Sequence, residues 1–226
     1  MELQSDDVLE NSPVVANCRM NRERILHGPN GYDRDLLFDP MEFLNDAALR
    51  DGKANWLDLC CGTGKALAEA AEIIDAEHLQ IRIVGVDLAG LFTASNSRCL
   101  VFHEAGLSSW RTNERFDLIT CVHGLHYLGD KLGLILRAAG WLKEAGHFVA
   151  NLDMTNIQIS NGQSSSRTVA PALRRAGFDY SFRRKLISCS GRRECKFPFQ
   201  YLGADDEVGP NYTGQPAVNS HYERLD

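Results

Sequence analysis

The chain has 226 residues, 44% hydrophobic and 24% charged, with a formal net charge of -6. That composition suits one soluble domain, and its acidity argues against bulk attraction to nucleic acid or to an anionic membrane. The opening Met1-Glu2-Leu3-Gln4-Ser5-Asp6-Asp7 carries neither a secretory signal nor an apolar anchor, and seven cysteines without a C-x-x-C pair predict a reduced, cytoplasmic setting.

Residues 1–34 are polar and broken by Pro13, Gly28, Pro29 and Gly31, so 1–39 reads as a cap of short helices and loops. Asp39-Pro40 starts a helix, with Asp39 as cap, Pro40 at its first position and Met41, Phe43, Leu44, Ala47, Ala48 and Leu49 at helical spacing. From Trp56 onward, apolar runs of strand length alternate with helical patterns. Strands are expected at 55–60, 81–86, 99–103, 116–122 and 147–152, and helices at 64–75, 130–143 and 166–176. Such alternation predicts an α/β fold: a mostly parallel sheet covered by helices. Residues 180–188 and 195–202 look like two further strands around a turn at 190–193, an antiparallel C-terminal hairpin closing the sheet. The stretch 203–226, rich in Gly, Pro, Asn and acids, reads as an irregular tail. The chain 1–226 is thus expected to be one domain, with its core in 40–202.

The first strand ends in Asp58 and runs into Cys60-Cys61-Gly62-Thr63-Gly64. Gly62 and Gly64 are expected to let a ligand approach the backbone next to a helix N-terminus. The phosphate-binding loop G-x-x-x-x-G-K-[ST] is excluded, because Ala66 follows Lys65 and Leu59 stands at the first glycine. The dinucleotide fingerprint fails at its third glycine, which is Leu67. The next two strands also end in acids, Asp87 and Glu104. Three carboxylates at consecutive strand ends suit a nucleoside without phosphate: Asp87 for ribose hydroxyls, Glu104 and the N–H of Ala105 for adenine, and Asp58 to organise the loop or receive an ammonium group.

The blocks Leu57-Asp58-Leu59-Cys60-Cys61-Gly62-Thr63-Gly64, Val84-Gly85-Val86-Asp87-Leu88 and His103-Glu104-Ala105 carry a family resemblance. So do the stretch from Phe116-Asp117-Leu118-Ile119 through Leu125-His126-Tyr127-Leu128 and the block Leu142 to Val149. In order and spacing they resemble class I S-adenosylmethionine-dependent methyltransferases over roughly residues 40–202. The resemblance implies a Rossmann-like, doubly wound sheet of seven strands and S-adenosylmethionine as cofactor. It implies contacts to that cofactor from Tyr32, Asp58, Cys60, Cys61, Gly62, Thr63, Gly64, Asp87, Leu88, Glu104, Ala105 and Cys121. Cys60 stands where the family's loop usually has its first glycine, and Glu104 where it usually has aspartate.

In such a fold the methyl acceptor lies beyond the fourth strand, where this chain places Cys121-Val122-His123-Gly124-Leu125-His126-Tyr127. His123 and His126 are the candidate catalytic residues, His123 as base or substrate-orienting group and His126 with packing at the helix start as its plainer role. Tyr32 resembles a tyrosine that covers the bound cofactor, Trp110 reads as structural, and Asp117 and Asp153 make no convincing metal site. The expected function is methyl transfer to a small-molecule acceptor, with the N-terminal segment and 203–226 as its lid. Nine basic residues between Arg167 and Lys196 leave open an RNA, protein or carrier-bound substrate. A cofactor-binding protein without methyl transfer is the third reading.

Overall fold

The structure, a computed structural model, describes residues 3–16, 23–160, 162, 164–208 and 211–225. Helices α1 (Asp6–Glu10), α2 (Pro13–Ala16) and α3 (Tyr32–Leu36) precede α4 (Pro40–Asp51), where the Asp39 side chain accepts from the Met41 N–H as foreseen. There follow β1 (Ala54–Leu59), α5 (Lys65–Ala76), β2 (Ile81–Asp87), β3 (Leu100–Glu104), β4 (Phe116–Cys121), α6 (Lys131–Gly140) and β5 (Leu142–Asn151). Then come β6 (Ile157–Ile159), α7 (Ser165–Arg175), β7 (Asp179–Ser181), β8 (Leu186–Ser190), β9 (Phe199–Val208) and β10 (Ala217–Arg224).

The main sheet has seven strands in the order β3-β2-β1-β4-β5-β8-β7. Pairs from β3 to β5 are parallel, whereas β8 runs antiparallel to both β5 and β7. Successive residues of the central strands enter opposite layers. Leu57, Leu59, Ile119 and Phe148 pack in the layer that holds α6 and α7, while Trp56, Leu118 and Val149 pack in the layer that holds α4 and α5. Both faces being covered, these strands read as continuous apolar runs. The carboxyl ends of β1, β2, β3 and β4 share one edge, where a parallel α/β sheet offers its crevice.

Two expectations about the C-terminal part are corrected. The antiparallel hairpin turns at 182–185, between β7 and β8, rather than at 190–193, and 195–202 does not pair with it. Instead β9 leaves the main sheet and pairs with β10, which also pairs with β6, forming a separate three-stranded sheet. The stretch 203–226 is therefore largely strand. Its inward residues include Ser220 and Asp205, which are buried and satisfied by partners elsewhere: Ser220 Oγ accepts from Lys131 Nζ at 2.8 Å, and Asp205 lies 2.6 Å from His221 Nε2.

Candidate active site

The turn after β1 is a run of left-handed residues, with φ of 58° at Cys60, 62° at Gly62 and 67° at Gly64. A non-glycine residue at positive φ costs about 1 kcal/mol or more, so Cys60 is held there by its surroundings. The Asp87 carboxylate stitches this turn to the next strand end. One oxygen accepts from the Gly62 N–H at 2.9 Å and the other from the Ala89 N–H at 3.0 Å. Glu104 is the register neighbour of Asp87 and is exposed, its carboxylate folded over Gly90. A Cβ on Gly90, at φ 61°, would lie 2.3 Å from Glu104 Oε2, so any side chain there would displace that carboxylate.

Gly64 has a neighbour the sequence did not suggest: an added Cβ would lie 2.3 Å from the Phe102 ring. Phe102 in turn stacks on Phe92, with centroids 4.5 Å apart and planes 4° off parallel. The segment between β2 and β3 crosses the glycine turn there, with the Thr93 N–H on the Thr63 carbonyl at 2.7 Å. The Ala105 N–H is also spoken for, donating to the Asp87 carbonyl at 3.0 Å.

Asp58 is wholly buried. Tyr32, buried edge-on against Trp56, donates its hydroxyl to Asp58 Oδ2 at 2.6 Å. Thr120 donates to Oδ1 and itself accepts from Trp56 Nε1 at 2.8 Å. Burial pushes the Asp58 carboxyl up to about 7, against these two hydrogen bonds, which favour the anion. Asp58 thus ties α3 and β4 to the end of β1 and exposes no atom to an ammonium group. Tyr32 is its partner rather than an outer cover.

Cys60 is partly exposed and Cys121 buried. Contact with the Cys121 thiol, and then burial, hold the Cys60 thiol well above its ordinary range; burial does the same for Cys61. Neither is a thiolate nucleophile. Leu88 follows at the end of β2 and packs with α1 and α2 against the second sheet.

At the end of β4 the chain turns through His123, at φ 57°, into a 3-10 turn over Gly124–Tyr127. The His123 N–H is fixed by Asn151 Oδ1 at 3.1 Å. Its Nε2 lies 3.5 Å from Asp35 Oδ1, and its Nδ1 lies 3.5 Å from the Tyr212 hydroxyl. Asp35 comes from α3 and also pairs with Arg24. Tyr212 comes from the β9–β10 turn. His126 is fully buried, with no hydrogen-bond partner on either ring nitrogen, and burial drives it down to about 3. Its ring lies 5.7 Å from that of His123 and 5.3 Å from that of Tyr212.

Asp35, Asn151 and Tyr212 were missed from sequence. Asp35 lies one helical turn from Tyr32, a usable signal; Tyr212 sits in Asn-Tyr-Thr-Gly, a turn signature that does not say which edge it reaches. Trp110 packs edge-on against Trp141 at 5.4 Å, a structural role. Asp117 accepts from Lys143 Nζ and the Asn55 N–H, both at 2.7 Å. Of the basic segment, Arg174, Arg175, Arg183, Arg184, Arg192 and Lys196 are exposed, and Lys185 pairs with Asp153 at 3.1 Å.

A family model described as a methyltransferase domain matches residues 31–159, more than half of the chain. The chain belongs to the methyltransferase-domain family. That match spans β1 to β6 and includes the glycine turn, Asp87, Glu104, His123 and Asp35, and the resemblance to class I S-adenosylmethionine-dependent methyltransferases drawn from sequence stands with it. No curated protein matches the methyltransferase chain. Among solved structures it is similar to the plantazolicin methyltransferase BpumL in complex with SAH, at 14% identity over 51% of this chain and 46% of that one, TM-score 0.42. It is also similar to SAM-bound CalS10, an amino pentose methyltransferase from Micromonospora echinaspora, at 23% identity over 50% and 49%, TM-score 0.39. Coclaurine N-methyltransferase bound to N-methylheliamine and SAH is 17% identical over 49% and 34%, TM-score 0.38. The aligned part spans less than half of each of these chains. Among the described residues no helix is long and apolar enough to cross a membrane.

Proposed function

We propose that this methyltransferase moves a methyl group from S-adenosylmethionine to a small-molecule acceptor seated beside His123. The observation that carries the reading is the division of one sheet edge. At the ends of β2 and β3, Asp87 and Glu104 present carboxylates beside a glycine turn; at the end of β4, His123 stands between a carboxylate and a phenol. The first half fits a nucleoside: the Asp87 carboxylate stands at the strand end where ribose hydroxyls would lie, and the exposed Glu104 is its register neighbour. Bound there, S-adenosylmethionine supplies an electrophilic methyl carbon on a sulfonium.

The chain's own residues align and deprotonate. With its Nε2–H turned to Asp35, His123 keeps a lone pair on Nδ1, facing Tyr212 and the acceptor. A proton leaving the acceptor moves to Nδ1, and Asp35 balances the imidazolium that results. His126, held neutral, adds no competing positive charge. The Tyr212 turn and α3 meet at His123 from its two sides.

Calorimetry with S-adenosylhomocysteine tests the nucleoside half. Wild type is expected to bind and Asp87→Ala to bind at least tenfold more weakly; a wild-type chain with no affinity for it would overturn the reading.

A further inference from the structure

We infer that His126 and the Asn211–Tyr212 turn form an acceptor subsite for an uncharged aryl hydroxyl compound, such as a phenol. The inference rests on the function just proposed and narrows its substrate class.

Three observations converge on it. First, the subsite holds unspent hydrogen-bonding capacity. His126 is completely buried with neither ring nitrogen paired, although a neutral imidazole carries one donor and one acceptor. Asn211, also buried, spends its Oδ1 on the Thr213 N–H at 2.7 Å and on the Thr213 hydroxyl, yet its Nδ2 has no partner. Buried polar groups are ordinarily satisfied, so buried donors and an acceptor left bare on and beside the Tyr212 turn point to a ligand that supplies them.

Second, the neighbouring charges are already matched. Asp35 pairs with Arg24 and faces His123, and Asp153 pairs with Lys185. An ammonium entering here meets Asp35 and Asp153 already paired, and a carboxylate meets Arg24 and Lys185 already paired, while the buried Lys131 ammonium is taken up by two carbonyls and a hydroxyl. Either would lose hydration without compensation. A hydroxyl compound loses far less, and His123 is placed to take its proton.

Third, the walls are rings. His126 meets Tyr212 edge-on, with planes 79° apart, and Tyr127 at 82°; His123 lies 6.1 Å from Tyr212. A planar aryl group matches such walls by edge-to-face contact. Tyr212 itself is 45% exposed, which places it at the entrance rather than in the core.

The test is calorimetric binding, on the full chain saturated with S-adenosylhomocysteine, of three ligands of nearly one size: phenol, benzylammonium and benzoate. Phenol is expected to bind at least tenfold more tightly than either charged ligand. Tyr212→Ala, at an exposed turn, should weaken phenol at least fivefold while leaving S-adenosylhomocysteine affinity unchanged. His126→Leu is the second variant, and it should weaken phenol likewise if it folds. Equal or tighter binding of benzylammonium or benzoate overturns the inference, as does binding of S-adenosylhomocysteine with no measurable phenol binding. Loss of S-adenosylhomocysteine binding in wild type would instead strike the function on which it rests.

Discussion

The side chain of Cys60 occupies the space that a side chain on Gly124 would need. A Cβ built on Gly124 would lie 2.3 Å from Cys60 Cβ and 2.8 Å from the sulfurs of both Cys60 and Cys121. The turn after β1 and the turn after β4 are thereby locked to each other at the centre of the site. A cysteine at the first position of the glycine turn is tolerated because the facing turn has a glycine of its own.

Gly124→Ala is therefore expected to destabilise the fold by about 1–3 kcal/mol through overpacking. Adding Cys60→Gly should recover part of that loss, because it removes both the clash and a non-glycine residue at φ 58°. Urea denaturation of the two single variants and the double variant measures the coupling. Simple additivity would mean that the two side chains do not compete for one space.

Asp58 gives the fold a pH dependence of unusual sign for a carboxylate. Burial raises it from 3.8 to about 7, so between those values the folded chain holds a proton that the unfolded chain releases. Its contribution to stability is then complete at low pH, falls as pH rises through that window, and is level above it. At about 1.4 kcal/mol per unit, the change reaches a few kcal/mol. Asp58→Asn lacks this term, so wild-type stability minus variant stability should decrease from about pH 5 to about pH 7.5. A difference that grows with pH would contradict the assignment. Tyr32→Phe removes one of the two hydroxyl donors and should cost about 1–3 kcal/mol.

The strand ends were legible because a covered parallel sheet writes itself as apolar runs, and an acid or glycine at the end of a run stands out. Asp87 and Glu104 were found that way, and they do lie in register. What stayed hidden depends on partners distant in sequence. Gly64 looked like a ligand glycine, but the ring it accommodates is Phe102, two strands away. The stretch 203–226 read as irregular for its Gly, Pro, Asn and acids, because inward positions such as Asp205 and Ser220 are polar. They are made compatible with burial by His221 and Lys131, and apolar alternation cannot register such pairs. The contribution of Tyr212 depends on that hairpin and was lost with it.

In the proposed mechanism Asp35 acts through His123, 3.5 Å away, so its replacement should separate catalysis from cofactor binding. Asp35→Asn keeps the shape but removes the charge that balances an imidazolium. The expected result is a fall in kcat of about ten- to a hundredfold, below the effect of removing a base outright. S-adenosylhomocysteine affinity should stay within twofold. Parallel loss of both would make Asp35 a structural anchor of α3.

Lys131 decides whether the second sheet stays attached to the first. Its buried ammonium donates to the carbonyls of Leu128 and Val218 and to Ser220 Oγ, all at 2.8 Å, binding β10 to the start of α6. Beside it, the Tyr222 hydroxyl accepts from the Leu132 N–H and donates to Asp130 Oδ1, each at 3.0 Å. Burial pulls Lys131 down to about 7, partly opposed by Asp130, Asp205 and Asp6. Lys131→Met matches it in length yet leaves two carbonyls and a hydroxyl without a donor, at about 1–3 kcal/mol for each group that stays dry. A loss of at least about 3 kcal/mol in urea is expected, with faster hydrogen exchange across β9 and β10 than across β1 and β4. Because Tyr212 rides on the β9–β10 turn, phenol affinity should fall in this variant before S-adenosylhomocysteine affinity does. Uniformly raised exchange across both sheets would show that the hairpin is not a separable unit held by this lysine.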